Sequence, residues 1–172
     1  MKIISFIILS ALISSAANAQ VKYEDKSAGS ITKTLKTDNM NYSALQTVNE
    51  FLQAVKKGDM GTVGSLLHPD VSWSQPGNSI ISGEKGSVKE VFEMVQTMFK
   101  QSANTLQLTD IKVLAVNGNQ VACLVHWLAG QPGGKVLDVD NIDVYTVKDG
   151  KIVKVMIFSA DTEAEDNFWG KN

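Results

Sequence analysis

Arginine is absent from this chain: all 16 of its basic residues are lysine, set against 18 acidic ones, for a formal net charge of -2. Without guanidinium there is no planar fork for bidentate capture of carboxylate or phosphate. No run of lysines makes a basic patch, which argues against nucleic acid as a partner. Histidine is scarce too. His68 and His126 lie far apart and form no metal-ligand spacing, so no metal and no cofactor is expected. The single cysteine, Cys123, has no internal partner for a disulfide and sits in Val121-Ala122-Cys123-Leu124-Val125, where it reads as a small buried hydrophobe. Stability must therefore come from packing.

The one long apolar run is N-terminal. Lys2 precedes Ile3 to Ile13, and Ala17-Asn18-Ala19 has the A-x-A form of a cleavage site, so residues 1–19 read as an export signal. The run is too short to span a bilayer, and no cysteine near the cleavage site offers a lipid anchor. Cleavage before Gln20 leaves 153 residues (172 minus 19), enough for one domain with a proper core, periplasmic or secreted. Residues 20–40 are polar and aperiodic and read as a flexible leader to a domain over residues 41–170.

Within the domain, helical periodicity comes first. Leu45, Val48, Phe51, Leu52 and Val55 make one apolar stripe from about Tyr42 to Lys57, which Gly58-Asp59 ends. A short second helix carries Met60, Val63, Leu66 and Leu67. A strand, Val71 to Gln75, then runs to Pro76-Gly77. The third helix opens on Ser87 with Glu90 three residues on, the pattern of a capping box. From Thr105 the period becomes that of strands, over about 105–116, 120–129, 135–147 and 151–160, followed by a short acidic helix from Thr162 to Trp169. The order predicts an α+β fold in which about three N-terminal helices pack on a curved antiparallel sheet.

Asp149-Gly150 between two β-rich runs is a type I′ hairpin signal. Taken as a two-residue turn without interruption, it sets Val144 opposite Val155, Ile142 opposite Ile157, Asp140 opposite Ser159 and Asp138 opposite Asp161. These share one side of the sheet, apolar near the turn and acidic at its far end, as in a small-molecule pocket. Asn141, Asp143, Tyr145, Lys154, Met156 and Phe158 fall on the other side, where Tyr145 and Phe158 suit a dimer interface. The facing of strand 120–129, and so of His126, stays open.

Several segments, in this order, resemble the SnoaL-like branch of the nuclear transport factor 2-like superfamily, a branch named for a polyketide cyclase. They are Val48-Asn49-Glu50-Phe51-Leu52, Lys57-Gly58-Asp59, Leu66 through Trp73, Pro76-Gly77, Gly83, Val144 through Ile152, Phe158-Ser159-Ala160-Asp161 and Asp166 through Gly170. The resemblance implies a cone-shaped half-barrel enclosing a cavity, commonly as a homodimer. It also supplies enzyme templates that this chain fails. The isomerase tyrosine aligns with Phe51 and its base with Gln75, and neither can do that chemistry. The epoxide-hydrolase Asp-Arg-Asp set cannot exist without arginine. The cyclase scheme needs only an acid in an apolar cavity.

Three readings follow. One is a cavity that binds a small hydrophobic molecule, lined by Phe51, Trp73, Gln75, Asp138, Ile142, Val144, Val155, Ile157 and Ser159. Another is an acid–base cyclase or isomerase using Asp140 or Asp161, with His126 as a further candidate base. The third is a non-catalytic dimerisation module. Asp161, just before the last helix, also fits an N-cap, and Asp138 fits a solvated rim. A cavity of roughly 300 Å3 or more argues against the third reading. A carboxyl with a raised pKa inside it favours the second over the first.

Overall fold

A computed structural model describes residues 26–171; the expected export signal lies outside the described residues. Ten elements follow in order: α1 (Lys26–Lys57), α2 (Met60–Leu66), β1 (Leu67–Gln75), β2 (Gly83–Lys85), α3 (Val88–Gln101), β3 (Gln107–Asn117), β4 (Gln120–Gly130), β5 (Val136–Lys148), β6 (Lys151–Ser159) and α4 (Thr162–Trp169).

Helix α1 starts well before Tyr42. No proline interrupts residues 26–57, so nothing in the polar segment forbids helix, although residues 36–40 are exposed and add nothing to the core. Its buried stripe is Ala44, Val48, Phe51 and Leu52. Gly58, at φ +70°, ends it, and Asp59 caps α2 by accepting from the Thr62 backbone N–H at 3.0 Å. Ser87 caps α3 through the Glu90 N–H at 3.3 Å, while the Glu90 carboxylate reaches back to the Gly86 N–H rather than to that of Ser87. On α3 only Val91 and Met94 are fully buried; Phe92, Val95 and Met98 stay half-buried because open space lies in front of them.

The sheet has six strands in the order β2-β1-β6-β5-β4-β3. It is mixed: β1 lies parallel to β6, with Trp73 beside Val155, and every other pair is antiparallel. The expected meander is therefore β3 to β6, and the helical half of the chain contributes the strands beyond it. Gly118, with φ +60°, turns β3 into β4; Asp149 and Gly150, both at positive φ, turn β5 into β6 as a type I′ turn. The core fills the concave side, with Val71, Val121, Val125, Ile152 and Val155 fully buried between sheet and helices. This is the α+β cone of the resemblance, an open curved sheet with helices in its hollow.

Helix α4 closes one end. Asp166 Oδ1 accepts from the Asn78 N–H at 2.8 Å, Gln131 Nε2 donates to the Phe168 carbonyl at 2.8 Å, and Lys135 Nζ donates to the Asn167 carbonyl at 3.1 Å. Gly77 sits in the left-handed region at φ +91°, and a β-carbon there would lie 2.4 Å from Asp166 Oδ1. Gly77→Ala is therefore expected to cost about 1–3 kcal/mol, read as a lowered Tm. Gly133→Ala, with nothing near its added carbon, should stay within about 0.5 kcal/mol of wild type. Equal losses in the two variants would show that the α4 clip carries no weight.

Candidate functional site

The uninterrupted hairpin register does not hold. Val147 pairs with Ile152, but Thr146 then pairs with Lys154, leaving Val153 as a bulge. Past it, Tyr145 pairs with Val155, Asp143 with Ile157 and Asn141 with Ser159. One extra residue brings Val155 and Ile157 to the same side as Val147, so the concave face of β5 is the odd-numbered one. Leu137, Val139, Asn141, Asp143, Tyr145 and Val147 are all buried.

That face walls a cavity of about 300 Å3 between the sheet, α1 and α3. Its sides are mostly apolar; Lys56, Lys57 and Gly58 are exposed lining residues and mark its opening. Polar atoms gather toward α4. Asp143 is 3% exposed; its Oδ2 accepts from the Tyr145 hydroxyl at 2.8 Å, and its Oδ1 has no hydrogen-bond partner. Burial pushes the Asp143 carboxyl up to about 7, against the Tyr145 hydrogen bond and with help from the charge of Glu165. Glu165 comes from α4 and is 5% exposed. Burial raises it as well, while the polar groups of Ser159, Asn141 and Trp169 work in the opposite direction. Tyr145 is pushed well above its ordinary value by burial and then by Asp143, and Phe51 meets its ring edge-on at 5.8 Å. Cys123 lies on the same concave side; burial lifts its thiol to about 11, which leaves it inert.

Of the residues singled out from sequence, Phe51, Trp73, Gln75 and Ile157 line this cavity, and Trp73 Nε1 donates to Gln75 Oε1 at 3.3 Å. Val155 is packed solidly in the core, and Ser159 lies half-buried with its Oγ accepting from the Asp161 N–H. Asp138, Asp140, Ile142 and Val144 instead face the convex side, because the bulge in β6 pairs that face of β5 with Met156 and Phe158 rather than with Val155 and Ile157. Asn141, Asp143 and Tyr145, expected outside, are inside for the same reason. His126 falls on the convex side too, since Val121, Cys123 and Val125 take the concave one. It lies between two carboxylates, with Nδ1 2.8 Å from Asp140 Oδ1 and Nε2 3.3 Å from Asp138 Oδ1. The sequence-chosen acids thus meet a histidine, but outside the cavity. Asp161 is the N-cap of α4, accepting from the Ala164 N–H at 2.9 Å, and that cap helps to aim Glu165.

Asn141, Asp143, Tyr145, Glu165 and Trp169 were not read from sequence as site residues. For the three on β5 a signal existed. Leu137, Val139, Tyr145 and Val147 share one parity, and that parity carries Asp143 inward. Glu165 and Trp169 offered none, because the position of α4 is set by backbone contacts distant in sequence.

Among described residues no three His, Cys, Asp or Glu side chains are placed to hold a metal ion. What the arrangement can do is store and release a proton near neutrality inside an apolar enclosure. In the unfolded chain Asp143 ionises in the ordinary carboxylate range, whereas in the fold it keeps its proton to about 7. Its contribution to stability is complete below about pH 4 and is lost as pH rises through about 7. Urea unfolding should show wild type losing stability against Asp143→Asn between about pH 5 and about pH 8, by a few kcal/mol in order of magnitude. Parallel pH profiles would mean that water reaches this carboxyl.

The model of the SnoaL-like domain matches residues 48–155. An uncharacterised protein of Mycobacterium tuberculosis is 29% identical over 125 residues, covering 73% of this chain and 95% of its own. A Xanthomonas campestris protein of unknown function with a cystatin-like fold superposes with a TM-score of 0.70 at 33% identity, over 74% of this chain and 98% of that one. Bal32a, from a soil-derived mobile gene cassette, gives 0.71 at 26% identity, over 76% and 99%. TerC, co-crystallised with polyporic acid, shares the fold at 15% identity with a TM-score of 0.64, over 74% and 99%. With its cone, its cavity and a family match across most of the sheet, the chain belongs to the SnoaL-like domain family.

Proposed function

We propose that this domain takes a small, mainly apolar molecule into the cone and exchanges a proton with it through Asp143, held by Tyr145. The observation that carries this reading is a carboxyl near 7, with one unpartnered oxygen, buried on the wall of a ligand-sized cavity. A group poised there is half ionised at neutral pH and serves as base or acid with little driving-force penalty. The Tyr145 hydroxyl fixes one carboxylate oxygen and leaves the other free for the ligand. TerC, of the same fold, was co-crystallised with polyporic acid, which supports a small organic molecule as the ligand. The N-terminal segment fits export, so the ligand would be met outside the cytoplasm.

Native mass spectrometry of protein from its own host is expected to show a retained small molecule on a chain beginning at Gln20. In heavy water, that molecule should gain deuterium on wild type at a rate that climbs through about pH 7 as Asp143 ionises. Asp143→Asn should hold the molecule but slow exchange by roughly 100-fold or more, while Asp140→Asn leaves it unchanged. Loss of exchange in Asp140→Asn instead would move the chemistry to the convex face.

A homodimer is part of the same proposal, supported by that convex face. Leu124, Ile142 and Phe158 form one cross-strand row, and Ala122, Val144 and Met156 the next. Phe158 is 53% exposed, and Ile142 and Met156 are exposed as well. Sedimentation of Phe158→Glu should show a monomer where wild type is a dimer; a monomeric wild type removes this part.

A further inference from the structure

The closed end of the cavity has an imbalance of hydrogen-bonding groups. Two buried acceptors lack a donor, Asn141 Oδ1 and Asp143 Oδ1, and the Glu165 carboxyl beside them is met only by the neutral side chains of Ser159, Asn141 and Trp169. All three residues line the cavity and none is more than 5% exposed. Asn141 and Asp143 are two apart on one strand face, roughly 7 Å by strand geometry. Glu165 is close enough for its charge to act on Asp143 and for the Asn141 side chain to act on it. Buried acceptors of this kind are costly unless something supplies N–H or O–H groups.

Among the described residues no lysine acts on Asp143 or Glu165. The chain has no arginine, and of the two lysines at the opening, Lys56 and Lys57, the first is engaged with the Thr109 carbonyl at 2.8 Å. The ionisable groups facing Asp143 are Tyr145 on its own strand, Cys123 on β4 and Glu165 on α4, all neutral or acidic; β6 offers Ile157 and α1 offers Phe51. Aromatic rings stand beside the acids, Tyr145 against Asp143, Phe51 against Tyr145 and Trp169 against Glu165, and aromatic faces attract positive charge.

We propose that the head group received at this end is a protonated amine carried on an apolar body. An ammonium brings donors for both open acceptors and one positive charge for two carboxyls. A ketone, an ester or a carboxylate would set oxygen against oxygen, and a carboxylate would add a third acid. An alcohol satisfies one acceptor and offsets no charge. Amine binding favours ionised Asp143 and so releases protons where that group is partly protonated. The proposal rests on the cavity taking a small ligand, and does not depend on proton exchange during turnover.

The test is calorimetric titration of the full chain at about pH 8 with three probes of one skeleton: 1-naphthylmethylamine, 1-naphthylmethanol and 1-naphthoate. The expected result is the amine at least fivefold tighter than the alcohol, no measurable binding of the carboxylate, and proton release on amine binding at about pH 6.5. In Glu165→Gln and in Asp143→Asn, each isosteric, the amine preference should shrink toward unity. A preference under fivefold in wild type, or one that survives in both variants, overturns the amine assignment and leaves the cavity reading standing. Failure of all three probes to bind overturns both.

Discussion

Everything functional in this molecule depends on where one residue, Val153, is left unpaired. A strand presents alternate residues to alternate faces, so a slip of one position exchanges the whole of its two surfaces. With Val153 bulged, Ile152 and Val155 both reach the core although they are three apart, and the odd-numbered side of β5 stays with them. Without the bulge, Lys154 and Met156 would have to enter the hollow beside Tyr145. The apolar content of β6 favours the bulge, and the bulge sets Val155 and Ile157 on the concave side beside Tyr145 and Asp143.

The second constraint is electrostatic. A fold that buries two carboxyls without a lysine or arginine beside them can keep them only by holding protons on them or by giving them donors. This domain does some of each. Tyr145 donates to one oxygen of Asp143, neutral side chains meet Glu165, burial lets both acids hold protons to higher pH, and acceptors on Asn141 and Asp143 remain open on the cavity wall. The convex trio follows the opposite rule. His126 sits between Asp138 and Asp140, two-thirds and about half exposed, where water serves each charge.

Much of the fold was legible in the residues because its signals are local. The α1 stripe, the Ser87 cap, the Asp149-Gly150 turn and the Asp161 cap each lie within a few positions of what they control. The start of α1 was not legible, since nothing in the polar stretch before Tyr42 distinguishes solvated helix from leader. Nor was the parallel pairing of β1 with β6, which joins segments some eighty residues apart. For the site, Phe51, Trp73, Gln75 and Ile157 could be placed from pattern, whereas the acid could not. A bulge leaves no mark in composition, and the hairpin count carried its error unchanged along all of β5. The apolar parity of β5 alone held the right answer, and two aspartates at Asp138 and Asp140 drew attention from it.

The helix that seals the narrow end follows all six strands in sequence. It carries Glu165 and Trp169, and it is moored to the loop after β1 through the Asp166 side chain and to the turn before β5 through its last carbonyls. Without α4 the hollow is an open funnel, and docking of that helix turns it into a vessel by setting Glu165 and Trp169 beside the wall that already carries Asp143.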